Sequence, residues 1–200
     1  FESCSHFVVH QSDGRVARER GEHGRHLLSM LPTQCWGLDP IFWSNVKLTA
    51  QDIQKLDLHP SKKGFSILGH PISRAEIVGT VVEISLKHNR ITFSVDDGTG
   101  VVNCTRFSDE AGGISSTFKK INLGDLVRLH GTLATYRMQT EIRICAIHLE
   151  ENFDTLTLHL LESLYMFTKV YSKPSKVQIE FEERQRRSDN KSNKCEMGTI

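Results

Sequence analysis

Long apolar runs are missing from these 200 residues: nowhere do the roughly 18 consecutive apolar residues of a membrane-spanning helix occur. The first residues also lack the basic-then-apolar order of a secretion signal. Net charge is scarce too. The 25 Lys and Arg against 24 Asp and Glu leave a formal +1, which excludes a polycation that holds nucleic acid by bulk electrostatics. Any acidic partner has to be read by a local face. The five cysteines, at 4, 35, 104, 145 and 195, show no CxxC or other metal-ligand spacing. The ten histidines form no HxH or HExxH, and no serine stands in GxSxG. No metal, cofactor or catalytic constellation is expected. Free thiols in a reducing, intracellular compartment are, with Cys104 and Cys145 packed inside strand-like runs. The sequons at Asn103 and Asn190 are then chance matches.

What is present divides into five zones. Residues 1–29, with "QSDGRVARERGEHGRH", hold no lasting apolar period and read as a disordered leader, with Met30 the expected natural start. Residues 30–69 carry "CWGLDPIFWSNVKLTAQDI", whose Trp36, Ile41, Phe42 and Trp43 are too apolar for a linker. They suit a segment folded back to cap a core, or an exposed docking strip, before a loop at Ser61–Gly64.

Residues 70–151 alternate with the two-residue period of strands. "SRAEIVGTVVEISL" predicts a long strand from Ser73 to Leu86, with Gly79 at the point where it can bend sharply. "RITFSVDD" and "VVNCTRF" follow as a hairpin around Asp97-Gly98-Thr99-Gly100, in which Asp97 is expected to accept backbone N–H groups. Asp96 and Asp97, adjacent on a strand, point to opposite faces and make a poor chelate. One helical turn is expected through Phe118 to Ile121, then strands in "GDLVRLHGTLATYR" and "TEIRICAIHLE". Five such strands fit a small closed barrel better than a sandwich, which needs about seven. A helix is predicted over residues 152–173, with Asp154 at its start, a stripe of Leu156, Leu160, Leu161, Leu164 and Val170, and Pro174 at its end. Residues 174–200 read as a disordered, solvated tail whose Arg184, Arg186 and Arg187 suit either a charge run or a weak nuclear-import patch.

The strings "WGLDPIF", "GHPI", "GTV", "VDDGTGVVNC" and "GTLATYR" stand in an order and spacing that resemble the OB-fold subunit of the CST telomere-capping complex. That subunit is itself related to the 32 kDa subunit of replication protein A. The resemblance covers residues 35–174. The leader before Met30 matches nothing in it, and the paired winged-helix domains of vertebrate members have no counterpart in these 200 residues. It implies a mainly β protein, an OB-fold barrel over 70–151 with a C-terminal helix. It also implies a non-catalytic, single-stranded-DNA-binding subunit in the nucleus, at telomeres. The implied partners are telomeric single strands, the other two CST subunits and DNA polymerase alpha-primase, with telomerase restrained and no membrane involved. The helix stripe could fold onto its own barrel or pair with an equivalent helix on another chain; the resemblance favours the second, with the smallest OB-fold subunit docking through Leu160, Leu164, Tyr165 and Phe167.

Strand alternation supplies a candidate face. With Val102 and Cys104 inward, Asn103, Thr105 and Phe107 point outward; Val127, Leu129 and Leu133 inward put Arg128, Thr132 and Tyr136 outward; Ile142 and Ile144 inward put Arg143 outward. The candidate DNA contacts are Phe107, Tyr136, Arg128, Arg137, Arg143 and Thr105, with short Thr92 and Ser94 leaving room for a strand. Unpaired bases stack on aromatic rings for about 1–3 kcal/mol each whatever their identity, while Arg neutralises phosphate. The resemblance puts Phe107 and Tyr136 where the related replication protein A subunit has its base-stacking aromatics. Phe107 could instead plug the barrel mouth, and Tyr136 could tie down the turn from Thr135 to Thr140. Nine Lys and Arg against ten Asp and Glu in 70–151 mean that the barrel alone is not basic, so its unaided affinity should be modest.

Overall fold

The structure is a computed structural model, and it describes residues 31–58, 64–87, 89–108, 118 and 120–196. The expected leader over 1–29, the start at Met30 and most of the Ser61–Gly64 loop lie outside the described residues.

Five strands close on themselves. β5 is Arg74–Lys87, β6 Arg90–Asp96, β7 Val101–Phe107, β8 Leu126–Tyr136 and β9 Gln139–Leu149. β5 pairs antiparallel with β6 at one edge and with β8 at the other, β6 with β7, and β8 with β9, while β7 runs parallel to β9 to seal the ring. The predicted strands fall on these spans to within two residues at each end. β5 serves two neighbours because it bends. A Cβ at Gly79 would stand 2.6 Å from the Asp96 carbonyl, so only glycine lets β5 and β6 cross this closely, and a register shift between Val81 and Glu83 completes the bend. Gly131 does the same on β8, where an added Cβ would meet the Arg143 carbonyl at 2.0 Å.

The barrel interior is filled by the inward members of the alternating runs, among them Ile77, Phe93, Val95, Cys104, Leu129, Ile142 and Ile144. Burying such a side chain is worth about 1.5–3 kcal/mol. Phe118 enters the same core and stacks on Phe93, ring centres 6.5 Å apart. Cys104 is buried as expected, but Cys145 is exposed. It shares the outward parity of Arg143, since Ile142 and Ile144 take the inward positions.

The segment before the barrel packs over it. A 3₁₀ turn at Thr33–Leu38 leads into α1 (Pro40–Trp43), β1 (Asn45–Lys47), α2 (Ala50–Gln54), β2 (Asp57–Leu58), β3 (Phe65–Ile67) and β4 (His70–Ile72). β1 adds to the barrel parallel to β5. The conspicuous strings have structural work. Asp39 of "WGLDPIF" caps α1 by accepting from Ile41 N at 3.0 Å, and its other oxygen lies 2.8 Å from His70 Nδ1 of "GHPI". His70 Nε2 in turn faces the Lys173 carbonyl at 2.8 Å, so one buried ring ties the leading segment to the chain beyond the barrel. The hairpin acid behaves as predicted. Asp97 accepts from Thr99 N at 2.9 Å within its turn, and also from Ala50 N at 2.7 Å, holding the first residue of α2.

The helix after the barrel, α3 (Asp154–Met166), passes through a π-helical turn at Phe167–Tyr171 and stops before Pro174. Its inward side is His159 and Ser163 with half-buried Leu156, Leu160 and Met166, and Tyr171 closes the contact. The expected solvated tail is corrected: Lys176–Glu196 forms a further helix, α4. Its first turn is anchored by buried Gln178, which donates from Nε2 to the Gly69 carbonyl at 2.8 Å and accepts from Ser175 N at 2.7 Å.

Candidate nucleic-acid interface

The outer face of β6, β7 and β9 lies between two hairpin tips, one joining β5 to β6 and the other β8 to β9. At its end, four of the six predicted contacts converge. Phe107 and Tyr136 are 43% and 40% exposed, so Phe107 does not plug the barrel. Arg143 stands over the Phe107 ring at 5.9 Å, and Arg137 over Tyr136 at 5.3 Å. Arg90 completes the group at 5.2 Å from the Tyr136 ring centre. Because Arg90 is also the cross-strand partner of Phe107, it links both rings. A hydrogen bond from Arg90, with the positive charges of Arg137 and Arg90, holds the Tyr136 hydroxyl below its ordinary pKa.

The β8–β9 tip is strained. Arg137 and Met138 both have positive φ, 49° and 66°, the conformation of a two-residue type I′ hairpin that favours Asn-Gly. Each non-glycine residue held there costs of the order of 1–3 kcal/mol. The strain sets Arg137 against Tyr136 and leaves Met138 95% exposed.

Two predicted contacts do not join. Thr105 is only 2% exposed: its hydroxyl lies 3.1 Å from Thr92 Oγ1 and donates to Glu141 Oε2 at 3.3 Å. Alternation gave the correct side of β7, but the Thr92 and Glu141 side chains cover it, making it floor and not contact. Arg128 sits elsewhere. Its Nε donates to Glu150 at 2.8 Å and its Nη1 to Glu76 at 3.2 Å. Glu76 also pairs with Lys47, which reaches Glu162 of α3 at 2.6 Å. Arg128 thus belongs to a chain of charges that docks α3. It shares strand parity with Tyr136, yet eight residues of extended strand separate them by roughly 26 Å around the barrel. Arg90 was missed because it opens a strand, where alternation gives no partner. Its register opposite Phe107 was the available signal.

The cation–π contacts now made are worth about 0.5–1 kcal/mol each at such exposed positions, less than the roughly 1–3 kcal/mol of a stacked base. A single strand can therefore displace a guanidinium from a ring and leave it to a phosphate. Glu83 and Glu141 also line this face, each hydrogen-bonded by a groove hydroxyl, Ser94 Oγ at 3.2 Å and Thr105 Oγ1 at 3.3 Å.

The residues predicted for a partner surface divide likewise. Leu164 and Tyr165 are each 61% exposed and Phe167 37%, with Leu158 and Leu161 beside them, whereas Leu160 is half-buried.

Five strands closed in this order, with two hairpin tips flanking one face, define an OB-fold, and residues 75–150 match the family model for an OB-fold nucleic acid binding domain. In fold, the chain is similar to a chain of the S. pombe Stn1–Ten1 complex (TM-score 0.59, 18% identity, 69% of this chain and 99% of that one). It is similar also to a chain of a replication protein A heterotrimer bound to single-stranded DNA (TM-score 0.56, 22% identity, 64% and 98%). In sequence it is 33% identical over 171 residues to CST complex subunit STN1 of Ailuropoda melanoleuca, and 29% identical to that of Homo sapiens. Each of these alignments covers 72% of this chain and 46% of the relative. Over this shared region the chain is similar in sequence to the STN1 subunits of CST complexes. It spans about half the length of those relatives.

Proposed function

We propose that this chain is a single-stranded-DNA-binding and assembly subunit of a CST-type complex, acting at telomere ends in the nucleus. The observation that carries the reading is the meeting of Phe107, Tyr136, Arg90, Arg137 and Arg143 at the end of one open barrel face. The two rings hold unpaired bases by stacking, and the guanidiniums neutralise phosphates on either side. With a near-neutral barrel, affinity comes from this cluster and not from the field of the whole protein. The exposed Leu164, Tyr165 and Phe167 suit the second half of the role, docking of the smallest OB-fold subunit on α3. The relative solved as an Stn1–Ten1 complex supports that assignment. In the finer reading, the assembled complex protects the 3′ overhang, brings DNA polymerase alpha-primase to the complementary strand and restrains telomerase.

A second reading, a scaffold that bridges protein partners without touching DNA, draws on Glu83 and Glu141 in the same face, which oppose phosphate. Replacing Phe107 and Tyr136 together with Ala decides between them. On the DNA-binding reading, affinity for a single-stranded oligonucleotide falls ten-fold or more, about 1.4 kcal/mol, with partner binding intact. Unchanged affinity favours the scaffold.

A further inference from the structure

β7 and β9 run parallel, with Cys104 beside Ile142 and Thr105 beside Arg143. Their outward residues therefore advance together, from Phe107 through Thr105 to Asn103 on one strand and from Arg143 through Glu141 to Gln139 on the other. Alternate residues are about 6.6 Å apart, which puts Asn103 roughly 13 Å along the groove from Phe107. There the groove deepens into a cavity of about 570 Å³ between the β8–β9 tip, α2 and the start of β7. Its polar lining is neutral: the amides of Gln54, Asn103 and Gln139, with the hydroxyls of Thr135 and Thr140. Leu58, Val101 and Met138 supply apolar walls, and no charged side chain lines it among the described residues.

Two of the amides are already fixed at one end. Asn103 accepts from Ser94 Oγ through Oδ1 at 3.0 Å, which leaves its NH₂ for a ligand. Gln54 donates from Nε2 to the Val101 carbonyl at 2.6 Å, which leaves Oε1. A fixed donor and a fixed acceptor between apolar walls suit a flat, neutral ring with hydrogen-bonding edges. They offer nothing to neutralise a phosphate or a carboxylate. The strained tip adds a second observation. Positive φ at Met138 holds a deformable thioether at the cavity wall instead of the glycine that the turn would favour.

We propose that this cavity receives one unpaired nucleobase, so that the chain selects bases at one position while stacking on Phe107 and Tyr136 tolerates any. The inference rests on the single-strand reading above. Well-placed hydrogen bonds to a base edge discriminate by about ten-fold or more, a spread that stacking alone does not set.

The test uses the full chain and short strands of equal length: oligo-dT, oligo-dC, oligo-dA, and oligo-dT with scattered dG. The expected result is a spread of at least about ten-fold between the best- and worst-bound strands. Replacing Asn103 and Gln139 together with Ala narrows it to about two-fold or less, with the loss falling mainly on the best-bound strand. Two results would overturn the pocket while leaving the groove: equal binding of all strands by the unaltered chain, or a spread that survives the double substitution. Binding of none of the strands would remove the single-strand reading and the pocket with it, an outcome plainly different from binding without discrimination. A third variant, Gln139→Glu, guards against misfolding of the pair, since it keeps size and adds a carboxylate at the wall. It should weaken every strand and leave the thermal midpoint close to that of the unaltered chain; unchanged binding would place the DNA elsewhere.

Discussion

Arg90 at the start of one hairpin strand stands 5.2 Å from the ring centre of Tyr136 at the end of another, and this contact draws the two tips that flank the open face together. The contact joins positions 46 residues apart in sequence. If Arg90 passes from ring to phosphate on binding, Arg90→Ala weakens single-strand affinity several-fold and makes the slope of log affinity against log salt shallower by about 0.7, the value for one lost contact to a single strand. Arg128→Ala, on the far side of the barrel, leaves that slope unchanged and lowers stability instead. Equal salt slopes for both variants would place the strand elsewhere. Titrated by its phenolate absorbance, Tyr136 should move up toward the ordinary tyrosine value in Arg90→Ala, since Arg90 is the largest cause of its lowering.

The β8–β9 tip holds Arg137 and Met138 in a conformation made for Asn-Gly. Exchanging the pair for Asn and Gly relieves strain of the order of 1–3 kcal/mol per residue. Thermal unfolding should then shift upward by several degrees, because about 1 kcal/mol moves the midpoint of a domain this size by roughly 2–4 °C. Single-strand affinity should fall in the same variant, which loses the Arg137 guanidinium and the Met138 wall. A variant both more stable and equally competent to bind would show the strain to be incidental.

Legibility from sequence followed the length scale of the physics. The five strands were readable because alternation is a local property enforced by a common core, and Gly79 because a glycine inside an apolar strand has few other uses. Asp97 was readable within its turn, but not its second bond to Ala50 N, 47 residues away. Outward parity put Phe107, Tyr136 and Arg143 on the exposed side of their strands, where the structure has them. It failed for Arg128, because a coiled strand carries residues of equal parity to opposite sides of a barrel, and for Thr105, because neighbouring side chains decide exposure. The α4 helix was hidden by its charge. Its anchor is one glutamine, Gln178, reaching the Gly69 carbonyl from 109 residues away.

His159 makes the docking of α3 depend on pH. Its ring is buried against the barrel with Nε2 3.2 Å from the Leu48 carbonyl and 3.5 Å from Ser163 Oγ. Burial, the largest influence, pushes its pKa down; the hydrogen bond to the Leu48 carbonyl and the charge of Glu76 act in the opposite direction, while Lys47 and Arg128 lower it further. A histidine whose folded value lies below its unfolded value of about 6.5 stabilises the fold fully above that pH, and the contribution is lost as pH falls through the folded value. Midpoints measured in steps downward from pH about 7 should begin to drop near pH about 6.5, well above the range where carboxylates titrate. His159→Gln, which keeps an amide N–H for the Leu48 carbonyl, should flatten that part of the profile. A drop of equal size in the variant would assign it to other groups.

The outward side of α3 is the last element whose role can be separated from its packing. Leu164 and Tyr165 are exposed, while Leu160 on the same helix is half-buried. Leu160→Ala should therefore lower the thermal midpoint of the isolated chain, and Leu164→Glu with Tyr165→Ala should leave it nearly unchanged. The order reverses for assembly. Central apolar anchors of an interface cost 2 kcal/mol or more when removed, roughly a thirty-fold loss of affinity, so the double variant should no longer co-elute with the smallest OB-fold subunit. Single-strand binding by the same variant should persist, because its nearest substituted residue belongs to the helix docked through Lys47 and Glu162, not to the face that carries Phe107. The unpartnered chain exposes Leu158, Leu161, Leu164 and Tyr165 together, a patch expected to self-associate in the absence of its cover. Light scattering should show that association fall in Leu164→Glu. If association instead persists while partner binding is lost, the self-contact lies on another surface.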